Sequence, residues 1–448
     1  MNRRHWSAFW APALGALIFS GCAGYAPLAL PSAPDAGAAL SPVSPAEQSK
    51  ASGLSISNST RSLDENDVMA LAVLNDPDLK AARLKAGVAS AQLFSAGLLP
   101  DPRLAAGWSR GPRFTGYSVG LSEDLEAFVL RGAAKASARE NLKRVDLSVL
   151  WQEQQAAASA ELLFIRARQD EDLEEIISRN RKFLADQYAV DQAGFQQNAS
   201  AIQKVSADLA VLADADASLR RTQLDADAAR HRLDYMLGLS PQARPVLAEL
   251  ARPQGSARPL LAREQFEAAL AALPQRRVDL LALKAGYESE QQSLRRAVLA
   301  QFPAPILGAQ WGRSNEEPIN TAGLSLNFPL PILNGNRGSV AVLRAGRRAL
   351  RAAYQARLDQ AQNEADQVYS AALIMSKQFK KLQEQTSAMK ALAANAEDHF
   401  RNGTMSAGAF VGLETALLRD EEESIRLHAA LESAHLNLDL LLGLFPQT

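Results

Sequence analysis

The sequence predicts a mainly α-helical protein with a small β part, built twice over. Three observations predict it. Two stretches with period-two alternation, residues 100–122 and 303–325, match without a gap at an offset of about 203 residues. Residues 133–193 and 347–402 contain no Gly or Pro, as long helices require. Both copies close on the same pattern, Leu-Asp-x-x-Leu-Gly-Leu-x-Pro, at residues 233–241 and 438–446.

Each alternating stretch reads as a β-hairpin, with strands expected within 103–125 and 304–328. Leu104, Ala106 and Trp108 share a face, as do Leu307, Ala309 and Trp311. Tyr117, Val119 and Leu121 continue it in the first copy, and Ala322, Leu324, Leu326 and Phe328 in the second. Between them stand Gly116, Ser118, Gly120 and Ser122, and Thr321, Gly323, Ser325 and Asn327. Each hairpin therefore has one apolar and one small, polar face.

In chain order, residues 1–21 read as a secretory leader. Arg3 and Arg4 supply the positive end, and the apolar run after them is too short to span a bilayer. Cys22, the chain's one cysteine, ends a stretch resembling a bacterial lipobox, with Phe19 where such boxes usually hold Leu. Acylation of Cys22 would add about 0.8 kcal/mol of membrane affinity per buried CH₂. Residues 22–61 are rich in Pro, Ala and Ser and read as a tether.

The first repeat, 62–252, begins with a helix capped by Ser62 or Asp64 and broken at Asn75-Asp76-Pro77. A second helix ends before Pro100. After the hairpin, a long helical hairpin over 133–239 turns at Gly194-Phe195. Leu173, Ile177 and Leu184 mark the seam of its first arm, and Val205, Leu209, Leu212 and Leu219 that of its second. The second repeat, 253–448, has the same order. Its helical hairpin over 339–444 turns at Gly403-Thr404, with Val368, Ala372, Met375, Phe379 and Leu382 on the seam. Asn334-Gly335-Asn336 reads as a turn before a helix; it lacks the spacing of a phosphate loop.

A formal net charge of −1 argues against a nucleic-acid partner. His428 and His435 have no third ligand in sequence and read as solvated helix positions, as does the run Glu421-Glu422-Glu423. The sequence gives no reason to expect a metal site, a cofactor or a catalytic constellation.

Four strands cannot close a transmembrane barrel, which needs about eight or more. Either the hairpins pack on helices in water, or several chains pool them, three chains giving twelve strands. Trp108 and Trp311 would then stand at the membrane interface.

The ordered set of repeat, strand hairpin and paired long helices resembles the TolC-like outer membrane efflux channel family. Gly97-Leu98-Leu99-Pro100-Asp101-Pro102 and Pro329-Leu330-Pro331-Ile332-Leu333-Asn334 are similar to its heavy-metal-efflux, CzcC-like branch. The resemblance implies a homotrimer, with a shared twelve-strand barrel in the outer membrane and an α-helical barrel across the periplasm. It implies a periplasmic adaptor protein, an inner-membrane pump of RND type, and an outer-membrane lipid anchor at Cys22. The tips at Gly194, Phe195, Gly403 and Thr404 would meet the adaptor. The family often carries acidic residues six and nine positions past the tip glycine. Here those positions hold Ser200, Gln203, Ala409 and Gly412, so Asp208 and Glu414, further along, are the candidate aperture carboxylates. The alternatives are a lipid-anchored coiled-coil scaffold and a duct for secreted protein.

Overall fold

The computed structural model describes residues 25–33, 62–112, 115–249, 259–315 and 319–445. Residues 25–33 belong to a separate unit and are exposed, with neither helix nor strand. The expected leader, Cys22 and most of the tether lie outside the described residues.

Helix α1 (Glu65–Asn75) starts at Asp64. Asp64 accepts the Asp67 amide at 2.8 Å while Asp67 accepts the Asp64 amide at 3.3 Å, closing a reciprocal cap. Asp76 ends α1 and caps α2 (Pro77–Ala96), accepting from the Asp78 amide at 2.8 Å. Strands β1 (Arg103–Arg110) and β2 (Thr115–Asp124) follow. Helix α3 (Glu126–Gln196) is 71 residues long, about 105 Å, and α4 (Ile202–Met236) returns over 35 residues.

The second copy runs α5 (Arg263–Ala271), α6 (Leu273–Arg276) and α7 (Val278–Leu299). Strands β3 (Ile306–Ser314) and β4 (Asn320–Asn327) come next. Helix α8 (Arg337–Arg401) has 65 residues and α9 (Ala407–Leu441) again 35. Left-handed Gly335 and Asn336 form the turn expected before α8. Among the described residues no helix is long and apolar enough to cross a membrane.

The long helices start earlier than their Gly- and Pro-free runs. Helix α3 passes through Gly132, and α8 begins at Arg337 and includes Gly338 and Gly346. One glycine costs about 1 kcal/mol in a helix, which so long a run absorbs.

Helix α3 packs against α1, α2, α4, α7 and α9, and α8 against α7 and α9. The duplication reaches the core. In copy one Ala160, Phe164 and Ala167 of α3 meet Leu233 and Leu237 near the end of the return helix. In copy two Ala365, Tyr369 and Ala372 of α8 meet Leu438 and Leu442. The Tyr369 ring stacks on Phe266 at 4.0 Å, and its hydroxyl donates to the Leu261 carbonyl at 3.0 Å.

The expected heptad in α8 is buried or half-buried throughout. In α4, by contrast, Leu209 is exposed. His435 is buried, and His428 is half-buried beside Phe379, because α9 turns that face into the hairpin seam. Glu421 and Glu422 are likewise half-buried, paired with Lys390 at 2.9 Å and Arg426 at 3.3 Å. All four differ from the solvated positions expected of them.

The junction before α7 is held by a fully buried arginine. Arg277 donates to Asp279 at 2.9 Å, to Glu364 at 3.3 Å and to the Leu441 carbonyl at 3.3 Å. Its guanidinium lies over the Trp151 ring, 5.3 Å from the centroid.

Candidate membrane face and hairpin tips

The four strands form one antiparallel sheet in the order β1-β2-β3-β4. The middle pairing, β2 with β3, joins the two copies. Its register puts Val119 opposite Trp311 and Leu121 opposite Ala309. The outer pairings put Leu104 opposite Leu121, Ala106 opposite Val119, Leu307 opposite Leu326, and Ala309 opposite Leu324. Side chains opposite one another share a face. The apolar positions of both hairpins therefore merge into one continuous apolar face.

The other face is built from Arg103, Ala105, Gly107 and Ser109 on β1 and Gly116, Ser118, Gly120 and Ser122 on β2. Gly308, Gln310 and Gly312 continue it on β3, with Thr321, Gly323 and Ser325 on β4. All six glycines of the strands lie there. On the apolar face, Leu104 and Trp108 are each 68% exposed and Leu324 is 85% exposed. Among the described residues no helix covers that face, in contrast to a hairpin packed on a helical body. An apolar patch of this extent marks contact with lipid or protein.

Strand length fits lipid. Ten residues of β2 span about 33 Å, and a tilt of about 40° leaves about 25 Å, the height of an outer-membrane apolar band. Trp108 pairs with Tyr117, and Trp311 stands one row nearer the helices, so the aromatics gather toward the hairpin loops. Phe128, Phe302 and Phe328 are exposed at the opposite end, where strands pass into helices. Phe128 and Phe302 escaped the sequence reading because they lie outside the alternating runs. Among the described residues, edge strands β1 and β4 have no further partner.

The helical tips turn with the same backbone. In copy one the amides of Gln197 and Asn198 bond to the carbonyls of Ala193 and Phe195. In copy two Asn402 and Gly403 bond to Asp398 and Phe400 in the same pattern. Asn198 and Gly403 are therefore equivalent, and both are left-handed, with φ of 56° and 71°.

This moves the first tip from where the sequence placed it. Gly194 lies inside α3, not at the turn. Its carbonyl accepts the Ala199 amide at 2.7 Å, and a Cβ there would come within 2.6 Å of the Ser200 hydroxyl. Close approach, rather than a turn, explains this glycine. Phe195 is 41% exposed beside it. At the second tip Thr404 Oγ1 lies 2.9 Å from His399 Nδ1.

The aperture candidates differ in setting. Asp208 faces Asp191 across the first hairpin, and its Oδ2 is shielded from water and accepts no hydrogen bond. Glu414 is half-buried; burial, then the carboxylates of Glu397 and Glu421, hold its carboxyl above the usual range. Among the described residues no cluster of three metal-ligating side chains forms.

No family model matches the chain, and a search of curated proteins finds no match. Solved structures do match in fold. The Campylobacter jejuni CmeC outer membrane channel matches with a TM-score of 0.70 and 14% identity, over 86% of each chain. The outer-membrane channel OprN matches at 0.68 and 17%, over 94% of this chain and 99% of that one. The open state of the Neisseria gonorrhoeae MtrE outer membrane channel matches at 0.67 and 16%, over 93% and 98%. Over most of its length, the chain has the fold of a TolC-like outer-membrane channel.

Proposed function

We propose that this protein is the outer-membrane exit duct of a tripartite efflux system, conducting solutes passively from periplasm to exterior. The observation that carries the reading is the sheet: one bare apolar face, one small polar face and two open edges. Such a sheet is incomplete alone. Three copies, pairing β4 of one with β1 of the next, close a twelve-strand barrel with lipid outside and water within. The helices then continue the bore into the periplasm. The likeness to solved outer-membrane channels supports this assembly.

The remaining parts rest on the family resemblance. A periplasmic adaptor meets the tips around Gly194-Phe195 and Gly403-Thr404, and an inner-membrane pump of RND type drives transport. Asp208 and Glu414 stand nearest the aperture. Acylated Cys22 adds a lipid anchor to the barrel. The cargo is divalent metal cations or small toxic compounds; a metal is a passenger here, since a pore must release what it admits.

Detergent-extracted protein should migrate as a trimer that dissociates on heating, and should give stepwise ion conductance in planar bilayers. A monomer without conductance overturns the proposal. The susceptibility of a deletion strain to divalent metals and to drugs, measured together, identifies the cargo.

A further inference from the structure

The two hairpins share a turn but not the side chains behind it. In copy one five polar residues converge between α3 and α4. Asp191, 5% exposed in its side chain, accepts from Lys204 Nζ at 2.6 Å and from Ser200 Oγ at 3.4 Å. Its other oxygen accepts from Gln187. Asp208 faces the same carboxylate, with its buried Oδ2 accepting no hydrogen bond. A shielded carboxyl oxygen against a carboxylate calls for a proton between them. In copy two the equivalent positions, set by the superimposable turns, are Leu392, Ala396, Met405, Ala409 and Leu413, all apolar. The cluster is therefore no requirement of the turn.

We propose that Asp191 and Asp208 form a proton-sharing pin across the first hairpin, with Lys204 as its cation, and that loss of the shared proton loosens the first tip. Protonated Asp208 donates to ionised Asp191, which also holds Lys204 and Gln187. Above the pH at which Asp208 ionises, two charges confront one lysine in a shielded space and α4 loses its hold on the end of α3. The charged groups facing Asp191 from α4 are Lys204 and Asp208; Gln187 of α3 and Ser200 of the turn are neutral. Helix α9 approaches α3 through Phe410 on Phe183, and its Glu414 responds to Glu397 and Glu421 rather than to this cluster.

Electrostatics agree with the geometry. Burial, then the Asp191 carboxylate, push the Asp208 carboxyl up, Lys204 only partly opposing them. Burial also disfavours charge on Asp191. Hydrogen bonds from Lys204, Gln187 and Asp208, with the Lys204 charge, outweigh it and hold that carboxyl below the usual range. The raised group stabilises the fold at low pH and stops doing so as pH rises through its folded value. The lowered group stabilises at higher pH and fails only in stronger acid. The pin is thus complete in the window between the two.

Hydrogen exchange of the full-length protein, corrected for intrinsic rates, tests this at residues 197–208. Protection should fall as pH rises past the Asp208 transition, up to about tenfold for each unit by which that carboxyl is raised. Asp208→Asn keeps a donor to Asp191 and should make protection independent of pH, without altering the pH response of residues 402–413. Flat protection in the unaltered protein, or an unchanged pH response in Asp208→Asn, overturns the proposal. The unaltered protein alone supplies the first outcome, so the test survives a variant that fails to fold. Absence of conductance in bilayers would sink the channel reading and leave this result untouched.

Discussion

At one tip, Asn198 turns the chain above a knot of Gln187, Asp191, Lys204 and Asp208. At the other, Gly403 makes the same turn above Ala396 and Leu413, with Phe400 stacked on Phe410 at 4.9 Å. The difference teaches that the backbone of a duplicated fold tolerates opposite chemistry at equivalent sites, provided each set is internally satisfied. The junctions at the other end repeat the lesson. Gly238 packs against Asn75 and Gly443 against Arg276, which makes Asp76 and Arg277 equivalent. The first merely caps a helix; the second is a buried hub.

That contrast can be broken most severely at the hub. Arg277→Ala takes the buried guanidinium from Asp279 and Glu364, which keep only Arg357, and should cost about 3 kcal/mol in the denaturant unfolding of the assembled protein. Asp76→Ala should cost about 1 kcal/mol, the worth of one helix cap. Similar losses at the two sites would show that the junctions are not distinct.

The tips supply the next test. Ala396→Asp places a carboxylate where Asp191 stands in copy one, but among apolar neighbours and with no lysine. It should destabilise the second tip by about 3 kcal/mol, read as faster proteolysis near residue 403. A neutral outcome would mean that the second tip is open enough to hydrate a charge.

A smaller effect belongs to Asp234. Neither of its buried carboxyl oxygens is hydrogen-bonded; burial raises its carboxyl despite Arg230, His231 and Arg244. A raised group contributes stability at low pH and loses it as pH rises. Asp234→Asn should therefore raise the midpoint at pH 8 more than at pH 5. Equal shifts at both would mean that the carboxyl is unperturbed.

How much of this was legible follows from how each part is specified. The hairpins declared themselves because a strand alternates faces residue by residue, and Leu104, Val119, Ala309 and Leu324 keep step through the sheet. The heptads of α8 were legible for the same reason at a longer period. The first tip was misplaced because Gly194 looks like a breaker, while the residue that takes the left-handed turn is an asparagine. The Asp191 knot was not legible. On one arm Gln187 and Asp191 resemble any solvated helical face, as do Lys204 and Asp208 on the other. Only antiparallel packing of α3 on α4 brings them together.

Contact between the apolar face and lipid is what the duct requires, and paired spin labels measure it. Labels at Val119 and Leu324 on that face, and at Ser118 and Gly323 on the other, are compared in reconstituted protein for collision with oxygen and with a water-soluble nickel complex. Oxygen-rich, nickel-poor environments are expected for the first pair and the reverse for the second. Nickel access at both Val119 and Leu324 would contradict that contact.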